Sequence, residues 1–196
     1  MLRILLSTTA VLLATSSAFA WGVGQTAHGV QIGFLQVGVI DQDGFFNHAG
    51  VTQIGILQGA RVRQLGFANT AHSFQLGVGQ LSNTAQFGAF NEATTVQLGA
   101  LQASNTQQAG IGNDAVTVQA GIGQLSNTQQ LGVDNDATTV QVGVAQVANT
   151  QQVGVGNTAT TVQVGAFQSS NIQQAGAGNT AVVVQAGVGQ SMSITQ

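Results

Sequence analysis

QLGVDNDATTVQVGVAQVANTQ, residues 130–151, decides how the chain is read, because almost every other part of the sequence repeats it at a spacing of 22 residues. A fixed period of this length marks a solenoid, in which each copy is one turn of a stack. One glutamine column contains Gln86, Gln108, Gln130, Gln152 and Gln174, with Gly88, Gly110, Gly132, Gly154 and Gly176 two residues on. A second runs through Gln97, Gln119, Gln141, Gln163 and Gln185, and an asparagine column through Asn91, Asn113, Asn135, Asn157 and Asn179. Gln-x-Gly-x-x-Asn and Gln-x-Gly-x-x-Gln start 11 residues apart, so each turn is two similar arms.

An 11-residue period also suits a right-handed supercoil of helices. Composition excludes that reading: the chain is 5% charged, holds 27 Gly, and carries β-branched runs such as Thr138, Thr139, Val140. Within an arm, Ala137, Thr139, Gln141 and Gly143 share one parity and Thr138, Val140, Val142 and Val144 the other, which is strand periodicity. The Gly-x-x-Asn and Gly-x-x-Gln segments read as turns, with Gly supplying positive φ and Asn tolerating it or bonding its own backbone. The expected fold is all-β, a two-sheet β-solenoid of strand-turn-strand-turn repeats with an amyloid-like cross-β arrangement. At about 4.8 Å per rung, its eight turns make a rod roughly 38 Å long.

The segment MLRILLSTTAVLLATSSAFA, residues 1–20, has Arg3, an apolar run and the small-residue ending Ala18-Phe19-Ala20. It reads as a secretory signal peptide cleaved before Trp21, too short to span a membrane, so the expected product is exported with no membrane span. Residues 21–85 are degenerate copies and 86–196 regular ones. The mature chain carries Arg61 and Arg63 against six acidic residues, a formal charge of −4, which argues against nucleic acid as a partner. With no cysteine, no disulfide staples it. There is no proline, and Gln196 begins another copy of the pattern, so the rod end is expected to be an uncapped sheet edge open to strand addition by the same chain.

The pattern Gln-x-Gly-x-x-Asn-x-Ala-x3-Gln, present as Gln64, Gly66, Asn69, Ala71, Gln75 and in five further copies down to Gln174, Gly176, Asn179, Ala181, Gln185, resembles the repeat of curlins, the subunits of bacterial curli amyloid fibres. The likeness covers nearly the whole mature chain. It departs from the family where Gln80, Gln102, Gln124, Gln146 and Gln168 stand in place of the opening Ser, and where no Gly-rich leader follows the signal segment. The resemblance implies a secreted fimbrial subunit in an extracellular fibre at the bacterial cell surface, serving biofilm matrix and adhesion. A second curlin-type subunit and an outer-membrane secretion pore are its implied partners. It also implies that the Gln, Ala, Thr and Gly parity faces inward, against ordinary hydrophobicity, which would bury Val140, Val142 and Val144.

Sparse charges test the register. Asp41 and Arg63 are 22 apart and are expected to stack as an exposed ion pair contributing roughly 0.2–1 kcal/mol. Glu92, Asp114 and Asp136 share one column, with Asp134 nearby, and read either as solubilising turn acids or as gatekeepers that slow polymerisation until neutralised. Residues 150–196 carry no charge and are the expected aggregation segment. His28, His48 and His72 do not form a metal-ligand spacing, and no catalytic constellation or cofactor motif stands out, so neither an enzyme nor a cofactor is expected. The alternative to a fibre subunit is a monomeric ice- or surface-binding solenoid using the file Thr95, Thr117, Thr139, Thr161.

Overall fold

The structure is a computed structural model that describes residues 14–196. The expected signal segment is therefore outside the described residues up to position 13, while positions 14–20 belong to the first strand. The strands are β1 (Ala14–Val23), β2 (Thr26–Phe34), β3 (Gln36–Phe45), β4 (His48–Ile56), β5 (Gly59–Phe67) and β6 (Thr70–Val78). They continue as β7 (Leu81–Ala89), β8 (Glu92–Ala100), β9 (Ala103–Ile111), β10 (Asp114–Ile122), β11 (Leu125–Val133) and β12 (Asp136–Val144). The last are β13 (Val147–Val155), β14 (Thr158–Ala166), β15 (Ser169–Ala177), β16 (Thr180–Val188) and β17 (Ser191–Thr195).

Odd strands form one sheet and even strands the other, each in sequence order. Every pairing is parallel and joins a residue to the one 22 positions on, as in Gln119↔Gln141 between β10 and β12. The chain is thus a β-solenoid of about eight turns, as its period requires.

Two backbone positions turn the corner between sheets. The first is the conserved-by-repeat glycine near each strand end: Gly143 has φ +136°, and a Cβ there would run into the carbonyl oxygen of Gly165 on the next rung. Only glycine suits that conformation and that approach. The second is the residue just before each corner Asn or Gln, where Ala68, Phe90, Asp134 and Ala145 take φ between 52° and 57°. This corrects the expectation for asparagine. Asn135 and its copies are not left-handed themselves, because their side chains turn inward and are engaged there.

The inward parity is the one carrying Gln, Ala and Thr. Gln141, Thr139 and Ala137 are buried, whereas Val142 and Val144 are exposed. Amides win over valines because the stack gives each buried carboxamide a partner, and a satisfied polar group loses most of its desolvation penalty.

Candidate functional site

The feature that repeats through the whole molecule is a set of buried amide ladders. Gln86, Gln108, Gln130, Gln152 and Gln174 form one: each Nε2 donates to the Oε1 of the next glutamine, at 2.8 Å from Gln86 to Gln108 and 2.9 Å from Gln130 to Gln152. Gln97, Gln119, Gln141, Gln163 and Gln185 form the second in the opposite sheet, with Gln119 to Gln141 at 2.9 Å. The same amides also tie the sheets together. Gln130 Nε2 donates to the Asp114 carbonyl at 2.7 Å, and Gln141 Nε2 to the Leu125 carbonyl at 3.1 Å. Each glutamine is therefore a rung-to-rung link and a cross-sheet link at once.

The asparagine file runs with the opposite polarity. Asn135 Nδ2 donates back to Asn113 Oδ1 at 3.0 Å, and the Asn135 backbone N–H reaches the same oxygen at 3.2 Å. Its Nδ2 also donates to the Gly154 carbonyl at 3.1 Å, so the column of glycines supplies acceptors as well as corners. Asn91, Asn113 and Asn157 are equally buried, while Asn179, in the last turn, is half-exposed.

Two more ladders went unassigned in the sequence although their columns were visible. Gln80, Gln102, Gln124, Gln146 and Gln168, noted only as standing in place of a serine, are buried and linked in the same way, with Gln124 to Gln146 at 3.0 Å. On the outer face of the odd-strand sheet, Asn83, Asn105, Asn127 and Asn149 each donate to the next asparagine at 2.8–2.9 Å, ending on Asn171 Oδ1. The signal for both was the recurrence itself.

The charged columns stack as their spacing requires. Arg63 Nε lies 4.0 Å from Asp41 Oδ2 with both side chains about half exposed (52% and 46%), and the guanidinium sits 5.7 Å from the Phe87 ring centre. Glu92, Asp114 and Asp136 are direct neighbours on β8, β10 and β12. Partial burial, then the charges of Glu92 and Asp136, push the Asp114 carboxyl above the ordinary aspartate range. Asp134 stands apart at the preceding corner, with its backbone N–H bonded to the Ile111 carbonyl.

His48 and His72 come together despite the one-position offset, with ring centres 5.2 Å apart in an edge contact. Burial, then His72 and His28, lower the His48 pKa. Among the described residues no group of three or more His, Cys, Asp or Glu is placed to hold a metal ion, and no helix is long and apolar enough to cross a membrane. The file Thr95, Thr117, Thr139, Thr161 is buried, which removes it as the contact surface of an ice-binding face.

No family model matches the sequence, and no curated protein is significantly similar to it.

Proposed function

We propose that this protein is a structural subunit, exported and self-assembling, that extends a curli-like functional amyloid fibre outside the bacterial cell. The observation that carries this reading is that backbone and side-chain ladders run along one axis through every turn, from β2 to β16 and from β3 to β17. A ladder of identical amides has no intrinsic stopping point, since an added rung forms the same bonds as the last one. β17 and β16 are terminal strands of the two sheets. An open strand edge with unpaired backbone groups is a template for another copy.

The exported chain would be largely unordered before it docks. Fixing each residue costs about 1–2 kcal/mol of backbone entropy, and a Gly-rich chain with few aromatics has modest apolar burial to offset that. An existing end supplies the first rung, so elongation outruns nucleation. Exposed apolar residues such as Leu131, Val153 and Val142 leave both outer faces suited to lateral packing of fibres. Matrix formation and surface adhesion follow from such fibres, with a second curlin-type subunit and an outer-membrane pore as partners in nucleation and export. The role is non-catalytic.

The test is assembly by the chain beginning at Trp21. Thioflavin binding with a cross-β diffraction pattern is the expected result. A lasting monomer with thermal hysteresis would support the ice-binding alternative instead.

A further inference from the structure

We infer that residues 14–20 of β1 occupy the seat into which β17 of a second copy fits, so that this end of the rod is closed while they are present and opens for head-to-tail addition when they are removed. The inference rests on the assembly reading above and specifies its register and its control.

In the buried glutamine ladders each Oε1 accepts from the glutamine one rung earlier, but Gln36 Oε1 and Gln42 Oε1 are buried with no partner. The residues stacked before them are Ala14 and Ala20, neither of which carries an amide. Two of the glutamine ladders therefore begin with an orphaned acceptor. At the far end the polarity is complementary. Gln190 Nε2 and Gln196 Nε2 donate to the carbonyls of Ala186 and Thr180. Gln190 shares the column of Ala14 and Gln36, and Gln196 that of Ala20 and Gln42. A β17 seated against β3 brings both missing donors to both missing acceptors.

The interior agrees. Ala18 lies beside Ile40 in β1's present pairing and packs on the apolar cluster of the first turns. The same seat would receive Ile194, which packs on Ile172 in the last turns. The file then reads Ile172, Ile194, Ile40, Val62 across the junction, joining two apolar interiors that the intervening Thr84 to Thr150 keep apart within one chain. In phase, Trp21 of the first copy would follow Gln196 of the second as the next residue of an unbroken repeat. While residues 14–20 remain, β1 holds ten paired positions against β3 and the seat is taken.

The sequence has no cysteine, so a single engineered pair reads the register. Val39 pairs with Ser17 in β1, and Ser193 would take the place of Ser17. Stacked parallel strands put these Cα atoms roughly 4.8 Å apart, inside the disulfide range. Val39→Cys with Ser193→Cys should give a ladder of disulfide-linked dimers, trimers and higher species in the chain beginning at Trp21, and none in the full chain. Ser17→Pro with Ala18→Pro in the full chain, which unseats β1, should restore that ladder. Equal cross-linking in the full and Trp21 chains, or no restoration by the prolines, overturns the closure while leaving assembly intact. Fibres of the Trp21 chain without cross-links overturn the seat. Failure of that chain to assemble at all overturns the assembly reading, and this inference with it.

Discussion

Ile40, Val51 and Val62 fill the interior of the first turns, whereas the same two inward files further along hold Thr84, Thr106, Thr128 and Thr150 beside Thr95, Thr117, Thr139 and Thr161. The first turns also stack Phe46, Phe67 and Phe90 edge-to-face along one corner, with ring centres 5.5–5.6 Å apart, and carry Val39 and Arg61 where later turns have the outer asparagine ladder. Both regions adopt one backbone. The difference teaches that the fold is set by corner glycines and stacked amides, while the interior filling is interchangeable between apolar packing and hydroxyl-bearing side chains. In the middle turns some of that filling is poorly satisfied, since the hydroxyls of Ser82, Ser104, Thr117 and Ser126 are buried without partners.

If the corners are common to both regions, Gly55→Ala and Gly143→Ala should be equally destructive. Each forces an L residue to φ +143° or +136° and drives a Cβ into the next rung's carbonyl. Losses above about 3 kcal/mol are expected in denaturant midpoints, and a mild effect at either site would break the equivalence. Next comes the ladder. Gln119→Ala strips the acceptor from Gln97 Nε2 and the donor from Gln141 Oε1. Gln141 Oε1 is left orphaned while Gln97 Nε2 keeps its bond to the Leu81 carbonyl, a cost of about 2–4 kcal/mol, against about 2 kcal/mol for Val62→Ala, which removes only apolar packing.

A reciprocal swap within one file sharpens the contrast. Thr117→Val removes an unpartnered buried hydroxyl and should raise stability by about 1 kcal/mol, whereas Val51→Thr should lower it by about 1–2 kcal/mol.

The two regions should also answer acid with opposite signs. Asp114 holds its proton more tightly in the fold than in the unfolded chain, so stability rises as pH falls through the carboxylate range and is lost as pH climbs back. His48 holds its proton less tightly in the fold, so stability present at neutral pH declines as pH falls through about 6.5. Hydrogen exchange resolved by turn should show β4 loosening first and β10 tightening later. Asp114→Asn with Asp136→Asn should abolish the second response and shorten the assembly lag at neutral pH; an unchanged lag removes the gatekeeper role of this column.

Much of this was legible in the residues. The 22-residue period fixed the turn, parity gave strands, and columns placed Asp41 over Arg63 and Glu92 beside Asp114 and Asp136. Parity alone did not say which face is inside, because transfer preferences rank Val142 above Gln141. The ladder that reverses this order exists only once rungs are stacked. Corner geometry was misplaced by one residue: Gly79, Gly112, Gly123 and Gly156 mark the left-handed position, but Phe90 and Ala145 fill it in other turns without a marker, while Asn135, which carries one, is occupied by its inward bonds. The His48 to His72 contact was hidden because the side chains lean toward each other across an offset that column counting treats as separation.

Glutamine side chains form protected ladders inside the rod. Solvent exchange of carboxamide protons in the folded protein, followed residue by residue by nuclear magnetic resonance, tests it most directly. Slow exchange is expected for Gln97, Gln119 and Gln141 and fast exchange for the outward-facing Gln107, Gln129 and Gln173. Equal, fast exchange from both sets would contradict it.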